Sequence, residues 1–287
     1  MKEPIVYRSI EPEDLPKMYG AFKRVYADFP APFFLHQEMY LKKYIARQNI
    51  DYKLSVGAFE DDKLIGFILS SVALYEGKLT AFNNSEGFLP VHRKEEVSVK
   101  MYDFLRPLLQ KAEVKQCLIE VQTNDKKLLK VAKKLGFKAN KTYHCLILSN
   151  QQILASQPPG GISIRIQDKA DWDFYESFTD VNAPFLNSRY HLDNNEYDEM
   201  VISAKKSGED IGFAIFEPDM GRVAQIGVRR DFRRRGVGSA LLSFIYQLSA
   251  NKSLLVNVDT KAKDVNEYFK EMGFETIGEL AEMKLIL

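Results

Sequence analysis

The residues best equipped for chemistry lie in one run, VAQIGVRRDFRRRGVGSALLSFI, residues 223 to 245. An apolar stretch ending at Val228 passes through a basic turn into a segment of helical apolar spacing whose first turn holds Gly236 and Gly238. Amides that open a helix have no intrahelical acceptor and lie at the positive end of its dipole. Glycine lets such a backbone approach an anion with no Cβ in the way. Strand, glycine turn and helix in this order therefore point to phosphate binding. Five arginines crowd the turn, Arg229, Arg230, Arg233, Arg234 and Arg235, and guanidinium forks match phosphate oxygens. A solvated surface also accounts for Arg229 and Arg230, which precede the turn proper, and an ordinary helix start would account for the glycines. A dinucleotide fold would want a third glycine where Leu241 stands, and a nucleotide P-loop would want Gly-Lys-Ser/Thr, so neither fits.

The elements that position this run come from a chain of 287 residues, longer than one typical domain, with 45% hydrophobic content to fill its cores. Its 40 Lys plus Arg balance 39 Asp plus Glu. No whole-chain field recruits nucleic acid or a membrane surface, which makes the arginine crowding a local feature. The N-terminal stretch MKEPIVYRSIEPEDL has no apolar signal region, and no apolar run reaches the length of a membrane span; a cytoplasmic location is expected. The two cysteines, Cys117 and Cys145, sit in alternating apolar runs as small hydrophobes. The four histidines are scattered without the spacing of a helical metal pair, so no metal is expected.

Pro158, Pro159, Gly160 and Gly161 interrupt any helix or sheet and divide the chain into residues 1–150, a linker at 151–161, and residues 162–287. An internal repeat spans the cut. VYRSIEPEDL resembles ISIRIQDKADW, DKLIGFIL pairs with EDIGFAIF, and KKLGF ending at Phe137 pairs with KEMGF ending at Phe274. Strand and helix periods alternate within each half, giving an α/β or α+β class. In the second half strands are expected at 199–205, 211–216, 223–228, 253–258 and 281–287. Helices are expected at 236–250 and 265–272, the latter closed by Gly273 as a left-handed cap.

With these residues in view, the second half resembles the GNAT superfamily of N-acetyltransferases. Arg233, Gly236 and Gly238 match its R/Q-x-x-G-x-G/A signature. The resemblance implies two tandem GNAT-like domains, each a mixed, mostly antiparallel sheet flanked by helices. It implies acetyl-CoA as co-substrate, its pantetheine against backbone groups of Ile226 and Val228 and its diphosphate in the turn formed by Arg233, Arg234, Arg235, Gly236, Val237, Gly238 and Ser239. Gly227 is the expected site of a strand bulge, whose N–H at Gly227-Val228 would polarise the thioester carbonyl. Where the family often carries a glutamate the chain has Gln225, which could position a water, and Asp259 becomes the acidic candidate, beside its reading as a helix cap. The family's usual tyrosine position is Phe269, expected to pack on the cofactor. Tyr268 is the candidate acid, turned away by about 100° on a helix.

In the first half the same resemblance aligns Arg93 with the signature arginine, Glu96 with its glycine and Ser98 with the second small residue. Ala132 stands where the family keeps a tyrosine. A carboxylate in the helix mouth would repel a diphosphate, so this half is expected to be a structural copy that helps shape the acceptor cleft. The acceptor is expected to be a small-molecule amine, met within the stretch FTDVNAPFLNSRYHLDNNEYDEM, residues 178 to 200, by Phe185, Asn187, Arg189, Tyr190 and Tyr197, residues that core and turn roles explain at least as well; Trp172 is expected in the core. Pairing with a second copy of the chain, as a homodimer, is also kept open. Two further readings stay open, a protein or peptide N-acetyltransferase and a catalytically silent acyl-CoA binder or sensor.

Overall fold

A computed structural model describes residues 4–27, 36–93, 95–149, 158–194 and 199–287. Tyr197 and most of the expected linker, residues 151–157, lie outside these. In chain order the elements begin with β1 (Val6–Ser9), α1 (Leu15–Val25), α2 (Gln37–Tyr40), β2 (Val56–Glu60), β3 (Lys63–Tyr75) and β4 (Lys78–Phe88). Next come α3 (Glu95–Lys111), β5 (Gln116–Gln122), α4 (Lys126–Lys134) and β6 (Lys138–Leu148). The remainder is β7 (Ile162–Gln167), α5 (Trp172–Glu176), α6 (Arg189–Asn194), β8 (Met200–Lys206), β9 (Glu209–Glu217), β10 (Arg222–Val228), α7 (Val237–Leu248), β11 (Leu254–Asp259), α8 (Lys263–Glu271) and β12 (Glu275–Ile286). The strands and helices expected in the second half are present, with the last strand starting six residues earlier than its apolar pattern indicated.

The chain forms two compact units. The first takes residues 1–140, 193–197 and 282–287, and the second takes 141–192 and 198–281. This division departs from the cut at 151–161 for a packing reason. Leu146 and Leu148 on β6 are buried in the core of the second unit with Leu254 and Val256, while Met283 and Leu285, at the end of the chain, are buried in the core of the first with Met101 and Leu105. Composition marks where a chain can bend; apolar burial decides which core a strand joins.

In the first unit β1, β2, β3, β4 and β5 are neighbours in that order, antiparallel except for β4 and β5. In the second, β11, β10, β9, β8 and β7 follow one another, antiparallel except for β10 and β11, and β6 pairs antiparallel with β11. The helices bury one stripe each. On α7, Val237, Leu241, Leu242 and Ile245 are at most 1% exposed, the spacing of one helix face. Start signals recur in both units: Asp125 caps α4 by accepting Leu128 N–H, and Asp171 caps α5 by accepting Phe174 N–H. Stop signals recur too, with Gly136 and Gly273 at φ 95° and 85° closing α4 and α8. Trp172 is buried, as expected. Among the described residues no helix is long and apolar enough to cross a membrane, and no cluster of three His, Cys, Asp or Glu could hold a metal ion.

Candidate functional site

In the second unit β10 and β11 run parallel but pair at a single position, Arg222 opposite Leu255, where Leu255 N–H donates to Gly221 C=O at 2.8 Å. Past it β10 stays paired with β9 as far as Val228 opposite Gly212, while β11 diverges. A strand edge that loses its neighbour offers main-chain donors and acceptors to an extended ligand. The gap is a cleft of about 710 Å³ lined by residues 224–228 of β10, 256–259 of β11, the loop 178–184, the opening of α7 and the inner face of α8.

The bulge in β10 differs from expectation. Val223 lies opposite Phe216 and Gln225 opposite Ile215, so Ala224 is the extra residue and the irregular backbone lies three residues before Gly227. Gly227 remains in register with Phe213, and a Cβ there would stand 2.6 Å from the Phe213 ring. That ring is stacked on Tyr175 at 4.2 Å. The glycine serves a close approach of an aromatic ring, not a bulge, and the polarising N–H expected at Gly227-Val228 loses its geometric basis.

The turn into α7 is built by the sequence in a specific way. Residues Arg230–Phe232 make one 3-10 turn, Arg234 takes φ 59°, and Gly236 takes φ 80° as the residue before the helix. Glycine is the one residue that adopts this left-handed conformation at little cost. The first α-helical bond runs from Ala240 N–H to Gly236 C=O at 3.0 Å. The amides of Val237, Gly238 and Ser239 precede it and form the donor end of a twelve-residue helix. Arg233, Arg234, Gly236, Gly238 and Ser239 line the cleft; Val237 is buried in the core with its side chain, and Arg235 is absent from the lining.

The arginines divide by partner. Arg233 donates Nε to Val228 C=O at 2.8 Å and Nη2 to Phe178 C=O at 3.0 Å, and its Nη1 meets Asp180 at 2.6 Å. Its side chain is thus a brace between the end of β10 and the loop 178–184, not a phosphate fork. Arg229 is held by Asp231 and Glu209, which raise its already high pKa, and Arg235 lies near the Phe232 ring. Arg234 is largely exposed and reaches Glu271 at 3.4 Å. An anion here would depend on main-chain amides more than on the arginine crowd.

The catalytic candidates fare unevenly. Asp259 lines the cleft, but its carboxylate accepts Lys261 N–H at 2.9 Å and its carbonyl accepts from Asn266; the residue that precedes α8 is Ala262, with no side-chain cap bond, so Asp259 holds the turn ahead of the helix and does not cap it as its alternative reading expected. Gln225 donates to Asn187 C=O at 2.7 Å. Tyr268 lines the cleft beside Gly238, whose Cβ, if it had one, would lie 2.6 Å from the Tyr268 hydroxyl. The expected turn away from the site is therefore corrected, because α8 presents its 268 face to the opening of α7. Phe269 touches the cleft yet is only 2% exposed and packs edge-on against Phe274 in the core. Of the residues expected to meet the acceptor, Phe185, Asn187, Arg189 and Tyr190 do not line this cleft: Phe185 and Asn187 are buried, and Arg189 is paired with Asp173 and Glu176; Tyr197 lies outside the described residues. The loop 178–184 takes their place, including Asp180. The stretch from Phe178 was expected to meet the acceptor, but Asp180 was not singled out within it, since the wall it forms depends on the brace from Arg233.

The corresponding place in the first unit is built on the same plan and filled differently. Phe67 lies opposite Gly87, and the bulge between Ser85 and Asn83 makes Asn84 the extra residue, three before Gly87 as Ala224 is three before Gly227. Glu96 lies in the first turn of α3, with its carboxylate 2.9 Å from Lys100. The carboxyl that sits here is Glu86 on β4, partly buried. It accepts from Ser98 at 2.8 Å, Tyr102 at 3.2 Å and Asn83 at 3.1 Å. Burial raises its pKa against the lowering effect of those bonds. Burial also pushes the Cys117 thiol up to about 12, which leaves it unreactive.

Comparison with known proteins agrees with this geometry. Residues 197–276 match the acetyltransferase (GNAT) domain family. No curated protein sequence matches the chain. Among solved structures, a putative acetyltransferase from Pyrococcus horikoshii is 15% identical with a TM-score of 0.73, covering 99% of this chain and 89% of its own. A tandem GNAT protein from the clavulanic acid biosynthesis pathway is 12% identical with a TM-score of 0.73, covering 99% and 98%. A GCN5-related N-acetyltransferase from Sphaerobacter thermophilus is 15% identical with a TM-score of 0.69, covering 98% and 95%. At these identities the likeness is one of fold. The chain has a GNAT-like fold along its full length, and the match to the GNAT acetyltransferase domain falls on residues 197–276.

Proposed function

We propose that the chain is an N-acetyltransferase that moves an acetyl group from acetyl-CoA to a primary amine of a small molecule, in the cleft of the second unit. The observation that carries this reading is the divergence of β10 and β11 into a cleft lined by the unbonded opening of α7. The donor set fits coenzyme A. Amides of Gly236, Gly238 and Ser239 would take the diphosphate, and the free edge of β10 from Gln225 to Val228 would take the amides of pantetheine. Arg234 and the backbone of Arg235 and Val237 border the same turn.

The co-substrate supplies the thioester. The amine nitrogen bonds to its carbonyl carbon, the carbon–sulfur bond breaks, and the thiolate leaves while the nitrogen gives up its proton. A thiol of pKa about 8.5 leaves without obligatory protonation. The protein's part is to align the two reactants, which alone is worth a large share of such a barrier. Gln225, anchored on Asn187 C=O, borders the cleft where a water could relay the amine proton.

In this reading catalysis belongs to residues 162–287 with the strand that β6 contributes, and the first unit is a structural copy, in which Ser98 and Tyr102 donate to Glu86 at the corresponding place. A catalytically silent acyl-CoA binder is the second reading, favoured by one observation: the Asp259 carboxylate is committed to a turn. Thiol release from acetyl-CoA against a panel of small amines and peptides tests both. Turnover with a small amine supports the proposal, turnover with peptides alone moves the acceptor class, and thermal stabilisation by CoA without turnover on either establishes the silent binder.

A further inference from the structure

Tyr268 presents a problem that the core does not solve. Its hydroxyl is buried and finds no hydrogen-bond partner among the described residues. Buried polar groups are nearly always paired, and a phenylalanine would fill the same space, against Phe269 at 5.2 Å, without an orphaned oxygen. The hydroxyl stands over Gly238, where any Cβ would come within 2.6 Å of it. The absence of a side chain at 238 therefore makes room for this hydroxyl as well as for a ligand. Tyr268, Gly236, Gly238 and Ser239 line one cleft, and Ser239 Oγ lies 3.1 Å from Met272 Sδ, so the first turn of α7 and the last turn of α8 are in contact.

We infer that the Tyr268 hydroxyl is a ligand of the CoA diphosphate, donating a hydrogen bond from α8 to an oxygen of the anion that the α7 amides hold. This role rests on the proposed use of the cleft and replaces that of proton donor to the leaving thiolate. Such a bond would give the hydroxyl the partner that the protein's own groups do not provide. Burial raises the phenol pKa, which keeps the proton on the oxygen as a donor should.

The test compares wild type with Tyr268→Phe by calorimetric titration of CoA, 3′-phospho-ADP and pantetheine. The substitution should weaken CoA and 3′-phospho-ADP by the same factor, about tenfold for one hydrogen bond to a charged acceptor, and leave pantetheine unchanged. The ligand-free variant should melt no lower than wild type, since it loses only an unpaired group. Equal affinity of both proteins for CoA would overturn the role, and so would a loss confined to pantetheine. A wild-type protein that binds no CoA would overturn the reading of the cleft itself, and this role with it.

Discussion

Arg93 and Arg233 hold the same post in the two units. Each donates Nε to the carbonyl that ends a strand, Phe88 at 3.3 Å or Val228 at 2.8 Å, and Nη2 to a carbonyl near the end of the first helical segment, Val25 at 2.7 Å or Phe178 at 3.0 Å. The signature arginine is thus a brace that survives in a unit whose glycine turn has been lost. Arg93→Ala and Arg233→Ala should each lower stability by about 1–2 kcal/mol, as expected for losing bonds from a charged donor. Only Arg233→Ala should also weaken CoA, because it alone frees Asp180 and the loop 178–184. Denaturant unfolding and CoA titration on both variants check this; a CoA effect of equal size from Arg93→Ala would contradict it.

Gly236 carries the conformational demand of the turn. Gly236→Glu forces a side chain into φ 80° and sets a carboxylate where the diphosphate should lie. Strain of about 1–2 kcal/mol and like-charge repulsion add, so CoA affinity should fall by at least about a hundredfold. Titration that returns wild-type affinity would show that the anion binds elsewhere.

Glu86 makes stability depend on pH with a definite sign. Its folded pKa is raised above the ordinary glutamate value, so the folded state binds more protons than the unfolded state between the two values. Stability from this group is full below the ordinary value and declines as pH rises through the folded one. Glu86→Gln keeps the neutral form and should flatten that decline, which melting curves across pH 4 to 8 would record. An unchanged slope would show that the carboxyl is not the cause.

Gly227 tests the corrected position of the bulge. Gly227→Ala places a methyl group 2.6 Å from the Phe213 ring, which the stack on Tyr175 holds in place. Overpacking of this kind costs about 1–3 kcal/mol. A neutral result in denaturant unfolding would mean that the ring moves freely.

Much of this architecture was legible because local signals agreed. Apolar spacing gave the second-half strands and helices, repeated Gly-Phe pairs gave the duplicated plan, and Gly236 with Gly238 marked the opening of α7. What the sequence hid was which core each strand joins: β6 and the chain's last residues cross the compositional cut because Leu146 and Met283 bury where space exists. The bulge was misread because Gly227 looks the same whether it bends a strand or makes room for Phe213. The arginine crowd looked like a phosphate site since charge is visible in sequence, whereas the carbonyls of Val228 and Phe178 that claim Arg233 are not. Glu96 drew attention by its alignment, while Glu86, on a strand with no charged partner in sequence reach, is the carboxyl that bonds Asn83, Ser98 and Tyr102.

In the proposed reaction the amides opening α7 hold the diphosphate of one CoA per chain. Titration of isotopically labelled protein with CoA, followed by amide resonances, tests it most directly. Saturation at one equivalent, with the largest shifts at Gly236, Gly238 and Ser239 and none at Val97 or Ser98, is the predicted result. Two equivalents, or shifts that spare Gly236, Gly238 and Ser239, would contradict it.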